Sequence, residues 1–584
     1  MLNQESIKLE INVPVRMRDG TILYADIFRP DTGAKCPAII TRIPYNKSLM
    51  LPMASGYMNP QRFAREGYAT IIQDCRGTGV SEGKKRLWEH ESEDGYDTVE
   101  WTAAQPWCDG NVGMYGASYF GYTQWMTAAA QPPHLKTICP AEAAPAARDY
   151  PVDEGNVFGL QGHLSWYLRM CMLSLIGTTL PPAEATMMLG KLTYMIDNIE
   201  EQCKYLPLTE SPAAKIGEQL GMEPSLSEFI INIKNDNYWD QLNSIASFED
   251  ITVPVFHLSG WYDQFCSNVL ASYVGMKVRG GSDFARKNQK LLMGPWFHGL
   301  ALPSNVGSLD FGLASAGPSI DVTGMHIKWF DYWLKGINNG IMNEPPIRIF
   351  VMGDNIWRNV KEWPPAETIY ARYHFHSNGQ ANSRYGNGVL SAELPSEEPD
   401  DVYLYNPMNP VPYKWDIPSS GYATFAVQEQ EEVEKRADVL VYTSAPLEKD
   451  LEVTGTVEIK LWAISSVVDT DFTCKLVDVW PDGRAYNLTE GIVRARYRNS
   501  SKEPEFIEPG KIYEYSIKLY PTSNVFKMGH RIRVQISSSN FPKWDRNLNT
   551  GHPIGQDARI EVAVQTVLHN VQYPSHIILP VIPK

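Results

Sequence analysis

The chain has 584 residues, more than one hydrophobic core supports, so two to three domains are expected. With 43% apolar and 20% charged residues it has an ordinary globular composition. Its net charge of −15 leaves no basic stripe to neutralise phosphates, which excludes nucleic acid as an expected partner.

The N-terminal Met1-Leu2-Asn3-Gln4-Glu5-Ser6 has neither the basic nor the apolar region of a signal peptide. No apolar run approaches the ~20 residues of a membrane span. The eight Cys form no C-x-x-C pairs, so neither a zinc site nor a disulfide framework is expected. A reduced, cytoplasmic protein without a membrane partner is the consistent expectation. The N-glycosylation patterns at Asn46, Asn487 and Asn499 are then chance matches.

Residues 7–30 alternate apolar and polar around the turn Arg18-Asp19-Gly20, which predicts a hairpin. Buried strands are predicted at 37–42 and 68–74, the first leading into the loop Ile43-Pro44-Tyr45-Asn46-Lys47. The second runs into the glycine-rich segment 76–83, and a helix over 93–104 follows. Next, Val112-Gly113-Met114-Tyr115-Gly116-Ala117-Ser118 reads as a strand ending in a serine between small residues, with a helix continuing over 124–130 until Pro132-Pro133. Alternating strands and helices through residue 143 predict a parallel sheet with right-handed crossovers. Helical spacing at 155–172 and 184–205 predicts a helical cap over 144–245. Strands resume at 253–260 and 290–294, and a helix at 325–334 ends the second part of this domain, 246–345. From 346 to 584 short alternating segments, such as 347–351, 457–461 and 532–536, predict a β-sandwich.

A strand-to-helix turn that exposes a serine is the architecture of a nucleophile elbow. The generic pattern G-x-S-x-G fails here, because the fifth position is Phe120 and the glycine comes one residue later, so a helix cap at Ser118 stands as the alternative. A serine nucleophile needs a base and an orienting acid, which in α/β-hydrolases follow in the order Ser, acid, His at strand ends. Gly260-Trp261-Tyr262-Asp263 and Gly294-Pro295-Trp296-Phe297-His298 supply both in that order. Asp74 also ends a strand but precedes Ser118, and Arg76 nearby suggests a structural ion pair. His257 lies within a strand and is expected in the core, whereas His90, His374, His376 and His569 lack a strand-end context. The Tyr119 amide is one expected oxyanion donor. The Tyr45 hydroxyl, in the loop after the third strand, is a candidate for the second, with packing as its alternative.

These stretches, together with Arg42-Ile43-Pro44-Tyr45, Gln73-Asp74-Cys75-Arg76-Gly77-Thr78-Gly79, Gln105-Pro106-Trp107-Cys108-Asp109-Gly110 and Gly529-His530-Arg531-Ile532-Arg533-Val534, resemble the cocaine esterase and X-Pro dipeptidyl-peptidase family of serine hydrolases. Its elbow is G-x-S-Y-x-G, which Gly116-Ala117-Ser118-Tyr119-Phe120-Gly121 satisfies. The resemblance implies an α/β fold: an α/β-hydrolase domain with an inserted helical cap and a C-terminal jelly roll. It implies the triad Ser118, Asp263 and His298, the oxyanion pair Tyr45 and Tyr119, and no metal or cofactor. Trp166 in the cap resembles the family's aromatic pocket wall, and Phe265 and Trp296 complete the expected substrate-binding set. Cys75 stands where the family usually has threonine.

Within the family, the expected activity is that of an acyl esterase acting on a small-molecule ester or amide. X-Pro dipeptidyl-peptidases of this kind usually carry an extra N-terminal helical domain, whereas here the hydrolase strands begin almost at once, which favours the esterase. A dipeptidyl-peptidase or α-amino-acid ester hydrolase must bind a free ammonium, for which Asp149, Asp153, Glu154 and Asp310 are the candidates, though each also suits the surface. A catalytically dead binding protein is disfavoured by the intact triad. A homodimer is compatible with this layout.

Overall fold

The computed structural model describes residues 6–49, 59–150, 155–175, 180–242, 244–299, 301–413 and 426–583. Asp153 and Glu154 lie outside these residues. The predicted hairpin forms: β1 (Ile7–Arg16) and β2 (Ile22–Pro30) pair antiparallel around Gly20, whose φ of 91° suits glycine. The alternation in β1 does not create a fully buried face. This strand is the outermost of its sheet, its register slips between Glu10 and Val13, and Leu9 and Ile11 remain exposed.

Six strands then run parallel: β3 (Cys36–Ile43), β4 (Ala69–Asp74), β5 (Cys108–Ala117), β6 (Leu135–Ala141), β7 (Val255–Tyr262) and β8 (Gln289–Phe297). They read as continuous apolar runs because helices cover both faces, and every residue of β4 and β7 is buried. Helix α1 (Glu91–Ala103) precedes β5, and α2 (Tyr119–Ala129) leaves it after a single residue, Ser118.

One boundary differs from the expectation. The segment placed in the C-terminal sandwich is instead β9 (Ile347–Val351), which adds to the first sheet parallel to β8, and β10 (Ile356–Val360) pairs antiparallel beyond it. Among the described residues the sheet therefore has ten strands, in the order β1-β2-β4-β3-β5-β6-β7-β8-β9-β10. Its order reverses at β4-β3-β5, and in such sheets ligands bind outside the carboxyl ends of the strands near the reversal. The cap is helical as expected, from α3 (Leu160–Ser174) through Pro182–Asp197, Pro212–Gln219 and Leu226–Ile231 to Asp236–Gln241.

Among the described residues, the C-terminal domain is a second sheet system of 13 strands, from Ile369–His376 to His576–Ile582. Glu458–Ser465 alternates buried and half-buried residues, as a strand with one covered face does. In Asp471–Val479 and Ala485–Arg494 every residue is buried, because this hairpin also packs on the first domain. Tyr486 and Ile492 share a core with Trp261, Tyr262 and Phe265, and the Arg494 amide donates to the Gly155 carbonyl at 3.3 Å. Among the described residues no helix is long and apolar enough to cross a membrane, and all eight Cys are free thiols.

Contrary to the expectation, His376 and His569 do stand at strand ends, His376 closing Ile369–His376 and His569 directly following Ala563–Leu568, and His569 is fully buried in a polar knot. Its Nε2 lies 2.9 Å from Asp401 Oδ2, an oxygen that also accepts from Ser377 Oγ and Tyr442 OH at 2.8 Å each, and its Nδ1 faces Glu398 at 3.3 Å. Ser377 donates to the carboxylate itself, so the trio is a brace and not a hydrolytic site. Burial pulls the His569 pKa down, but the bond to Asp401 and the charges of Asp401 and Glu398 outweigh it, leaving the pKa raised. A raised folded-state pKa contributes stability that is complete below the unfolded value of ~6.5 and is lost as pH climbs through the folded value. The thermal midpoint is thus expected to fall as pH rises through that range. His569→Gln should lower the midpoint at pH ~6 and flatten the slope; an unchanged slope in thermal melts across pH would refute the assignment.

Candidate active site

Ser118 stands at φ 57° and ψ −128°, a strained conformation for a residue with a Cβ. The turn is held by its backbone: the Ser118 amide donates to the Ala141 carbonyl at 3.0 Å, and Tyr150 OH donates to the Ser118 carbonyl at 3.0 Å. The flanking glycines are required by space. A Cβ on Gly116 would meet the Phe120 ring at 2.4 Å, and one on Gly121 would meet the Ala143 Cβ at 2.5 Å. The glycine displaced by one position from the generic pattern is therefore where α2 crosses the end of β6.

His298 and Asp263 follow the carboxyl ends of β8 and β7. His298 Nε2 is 3.0 Å from Ser118 Oγ, and His298 Nδ1 is 2.9 Å from Asp263 Oδ1. Asp263 is itself fixed, accepting from Ser259 Oγ at 2.6 Å and from the Phe265 amide at 3.1 Å. The Phe265 ring packs edge-on against the imidazole, with centroids 5.3 Å apart. A serine, an imidazole and a buried carboxylate in this chain form a proton path from Oγ to Nε2.

The Tyr119 amide sits in the first turn of α2, where N–H groups have no intrahelical acceptor. The Tyr119 side chain turns away and anchors the helix: its hydroxyl donates to Glu91 Oε1 at 3.0 Å and accepts from the Trp88 amide at 2.8 Å. Glu91 pairs with the fully buried Arg42 at 2.8 Å, so a buried ion pair ties β3 and α1 to the elbow. Tyr45 lines the same cavity as Ser118, and Trp166 Nε1 donates to its hydroxyl oxygen at 3.1 Å.

The cavity above Ser118 has a volume of about 340 Å³. Near the serine its walls are aromatic, including Trp88, Tyr150, Trp166 and Phe265, and the C-terminal domain adds Tyr520, Lys543 and Trp544. Trp166 and Phe265 both line this cavity. Trp296 does not. It is fully buried below the sheet edge, its Nε1 donates to the Ser315 carbonyl at 2.9 Å, and its ring lies over Gly294, whose Cβ would come within 2.3 Å of it. A register shift in the β7–β8 pairing between Gly260 and Tyr262 turns this residue inward.

Of the carboxylates considered for an ammonium site, Asp310 lies in the exposed two-strand pairing of Asn305–Val306 with Leu309–Asp310, outside the cavity. Asp149 does line the cavity, but Arg148 stands 3.7 Å away, and Arg148 and Lys502 also hold Asp236 at 3.2 and 2.7 Å. Asp74 is structural, though its partner is Lys47, whose amide donates to it at 2.6 Å; Arg76 pairs with Asp94 instead. Burial raises the Asp74 pKa to about 6. His257 is a core residue bonded to Gln289 at 2.9 Å, and burial lowers its pKa to about 4. Sequence reasoning missed Tyr150 and Glu91, whose roles depend on contacts across the fold, and Glu142, an acid directly after β6 that accepts from the Gly299 amide at 2.9 Å.

Residues 19–300 match the X-Pro dipeptidyl-peptidase (S15) family, and residues 339–578 match the X-Pro dipeptidyl-peptidase C-terminal non-catalytic domain. The chain is 37% identical to cocaine esterase of Rhodococcus sp. (strain MB1 Bresler), over 98% of both chains. An aminopeptidase structure from a marine sediment Thaumarchaeota archaeon superposes with a TM-score of 0.79 at 25% identity, covering 99% of this chain and 97% of that one. An α-amino acid ester hydrolase shares the fold, with a TM-score of 0.80 at 23% identity and the same coverage. The chain belongs to the X-Pro dipeptidyl-peptidase (S15) family of serine hydrolases.

Proposed function

We propose that the protein is an acyl esterase in which Ser118 is the nucleophile, His298 the general base and Asp263 its orienting acid. The observation that carries this reading is the hydrogen-bonded chain from Ser118 Oγ through His298 to Asp263, opening on an aromatic cavity. Ser118 Oγ attacks the ester carbonyl as its proton passes to His298 Nε2, and the Tyr45 hydroxyl and Tyr119 amide receive the oxyanion. The tetrahedral intermediate collapses to an acyl-enzyme, with His298 returning the proton to the leaving alcohol. Water, deprotonated by His298, then releases the acid. The C-terminal domain, which we read as a jelly roll, closes one wall of the cavity. Eight free thiols suit a cytoplasmic setting.

The aminopeptidase likeness supports a second reading, in which a free ammonium is bound. The charges of the wall favour the ester, because Asp149 and Asp236 already face Arg148 and Lys502. A panel of aryl esters, amino-acid esters and X-Pro anilides tests this: turnover led by neutral esters is expected, and a preference for X-Pro anilides would reverse the assignment.

Tyr45→Phe separates the oxyanion role from packing. The ring is kept, so the fold should barely change, while the transition state loses a donor aimed at charge that appears only there. The expected loss is about 10²- to 10³-fold in kcat, with KM little affected. Trp166 Nε1 donates a hydrogen bond to the Tyr45 oxygen, which holds the phenol in the cavity wall. Unchanged kcat in steady-state kinetics would assign the second donor to another group.

A further inference from the structure

Glu142 sits at the carboxyl end of β6, between the elbow strand and the strand that carries Asp263. It is completely buried, and its backbone adopts φ 48°, a left-handed conformation that is costly for a residue with a side chain. The turn is fixed by its own amide, which donates to the Leu258 carbonyl on β7 at 2.7 Å. This geometry directs the carboxyl group to the triad. Oε2 accepts from the Gly299 amide at 2.9 Å and lies 3.7 Å from His298 Nδ1, the nitrogen that Asp263 Oδ1 engages at 2.9 Å. Oε1 has no hydrogen-bond partner among the described residues.

Two carboxyl groups therefore share one side of one imidazole. Burial first, and the Asp263 charge second, push the Glu142 pKa well above the ordinary carboxylate value. Two like charges this close do not both ionise readily. Asp263 accepts from a hydroxyl and an amide, whereas Glu142 Oε1 accepts from nothing among the described residues, so Glu142 is the one that favours its neutral form.

We propose that Glu142 is a positioning residue for the reaction, a second acid on the Nδ1 side of His298 that substitutes in part for Asp263. The proposal rests on the triad reading above. When the Asp263 carboxylate is removed, the smaller of the two causes of the raised Glu142 pKa disappears, while burial remains. Oε2 then closes the difference between 3.7 and 2.9 Å to accept the Nδ1–H bond, and the positive charge that His298 gains in the transition state draws the carboxyl toward its ionised form. The imidazole keeps the tautomer that presents Nε2 to Ser118.

A double-mutant cycle on the full chain tests this, with kcat/KM measured on an aryl ester and thermal midpoints recorded for every variant. Loss of the orienting acid in a triad costs ~10⁴-fold when nothing replaces it. Here Asp263→Ala should cost only about 10- to 100-fold, and adding Glu142→Gln should remove the remainder. The loss caused by Glu142→Gln is expected to be at least about tenfold greater in the Asp263→Ala background than in the wild type. A purely structural Glu142 would lower the midpoint and reduce activity by the same factor in both backgrounds, and that additive outcome overturns the proposal. If Asp263→Ala does not fold, Asp263→Asn, which keeps the volume, takes its place in the cycle. Failure of the triad reading is distinguished by fluorophosphonate labelling of the wild type, which would then modify a residue other than Ser118.

Discussion

Ser118→Ala is expected to lose about 10⁶-fold in kcat with an unchanged thermal midpoint. The two halves of this result have separate physical causes. The elbow is held by the Ser118 amide on Ala141, by Tyr150 OH on the Ser118 carbonyl and by the space left at Gly116 and Gly121, none of which involves Oγ. Alanine keeps the Cβ that serine already places at φ 57°, so the backbone strain is no greater than before. What disappears is the hydroxyl 3.0 Å from His298 Nε2, and with it the acyl-enzyme route. Residual turnover of ~10³- to 10⁴-fold over water would persist through substrate binding and the oxyanion donors. A fluorophosphonate probe should modify Ser118 in the wild type and leave the variant unlabelled. Mass spectrometry that locates the label on another serine would withdraw Ser118 as the nucleophile.

The grouping of Ser118, His298 and Asp263 was legible in the sequence because parallel strands are apolar throughout, so that a polar residue directly after such a run marks the strand's carboxyl end. Ser118, Asp263 and His298 each carry that mark, and the sheet brings three distant positions to one edge. Trp296 shows where this logic stops. By simple alternation it shares a face with His298, but the register shift between β7 and β8 turns the indole over Gly294 and into the core. Such a shift has no local signal. The strand Ile347–Val351 was recognised as a strand but given to the wrong sheet, since its alternation says nothing about its partner; β8, more than fifty residues earlier, decides that. Glu142 was invisible for a third reason. A single acid among Ala141, Ala143 and Ala144 looks like a surface turn until the left-handed backbone and the Gly299 amide show where its carboxyl group goes.

His298→Ala should be as damaging as loss of the nucleophile, again about 10⁶-fold in kcat, and the two losses should not multiply. Without the imidazole, Ser118 Oγ has no acceptor for its proton and attacks as a poor nucleophile. Without Oγ, the imidazole has nothing to deprotonate in the first step. Each substitution disables the same unit, so Ser118→Ala/His298→Ala is expected to retain the activity of either single variant. The stability consequences differ, which provides an independent check. His298→Ala removes the Nδ1–H donor 2.9 Å from Asp263 and the ring that packs against Phe265, leaving a buried carboxylate with Ser259 and the Phe265 amide as its donors among the described residues. Its thermal midpoint should therefore fall, whereas that of Ser118→Ala should not. A double variant that loses the product of the two single effects would mean that Ser118 and His298 act in separate steps on separate groups, and this triad would be wrong.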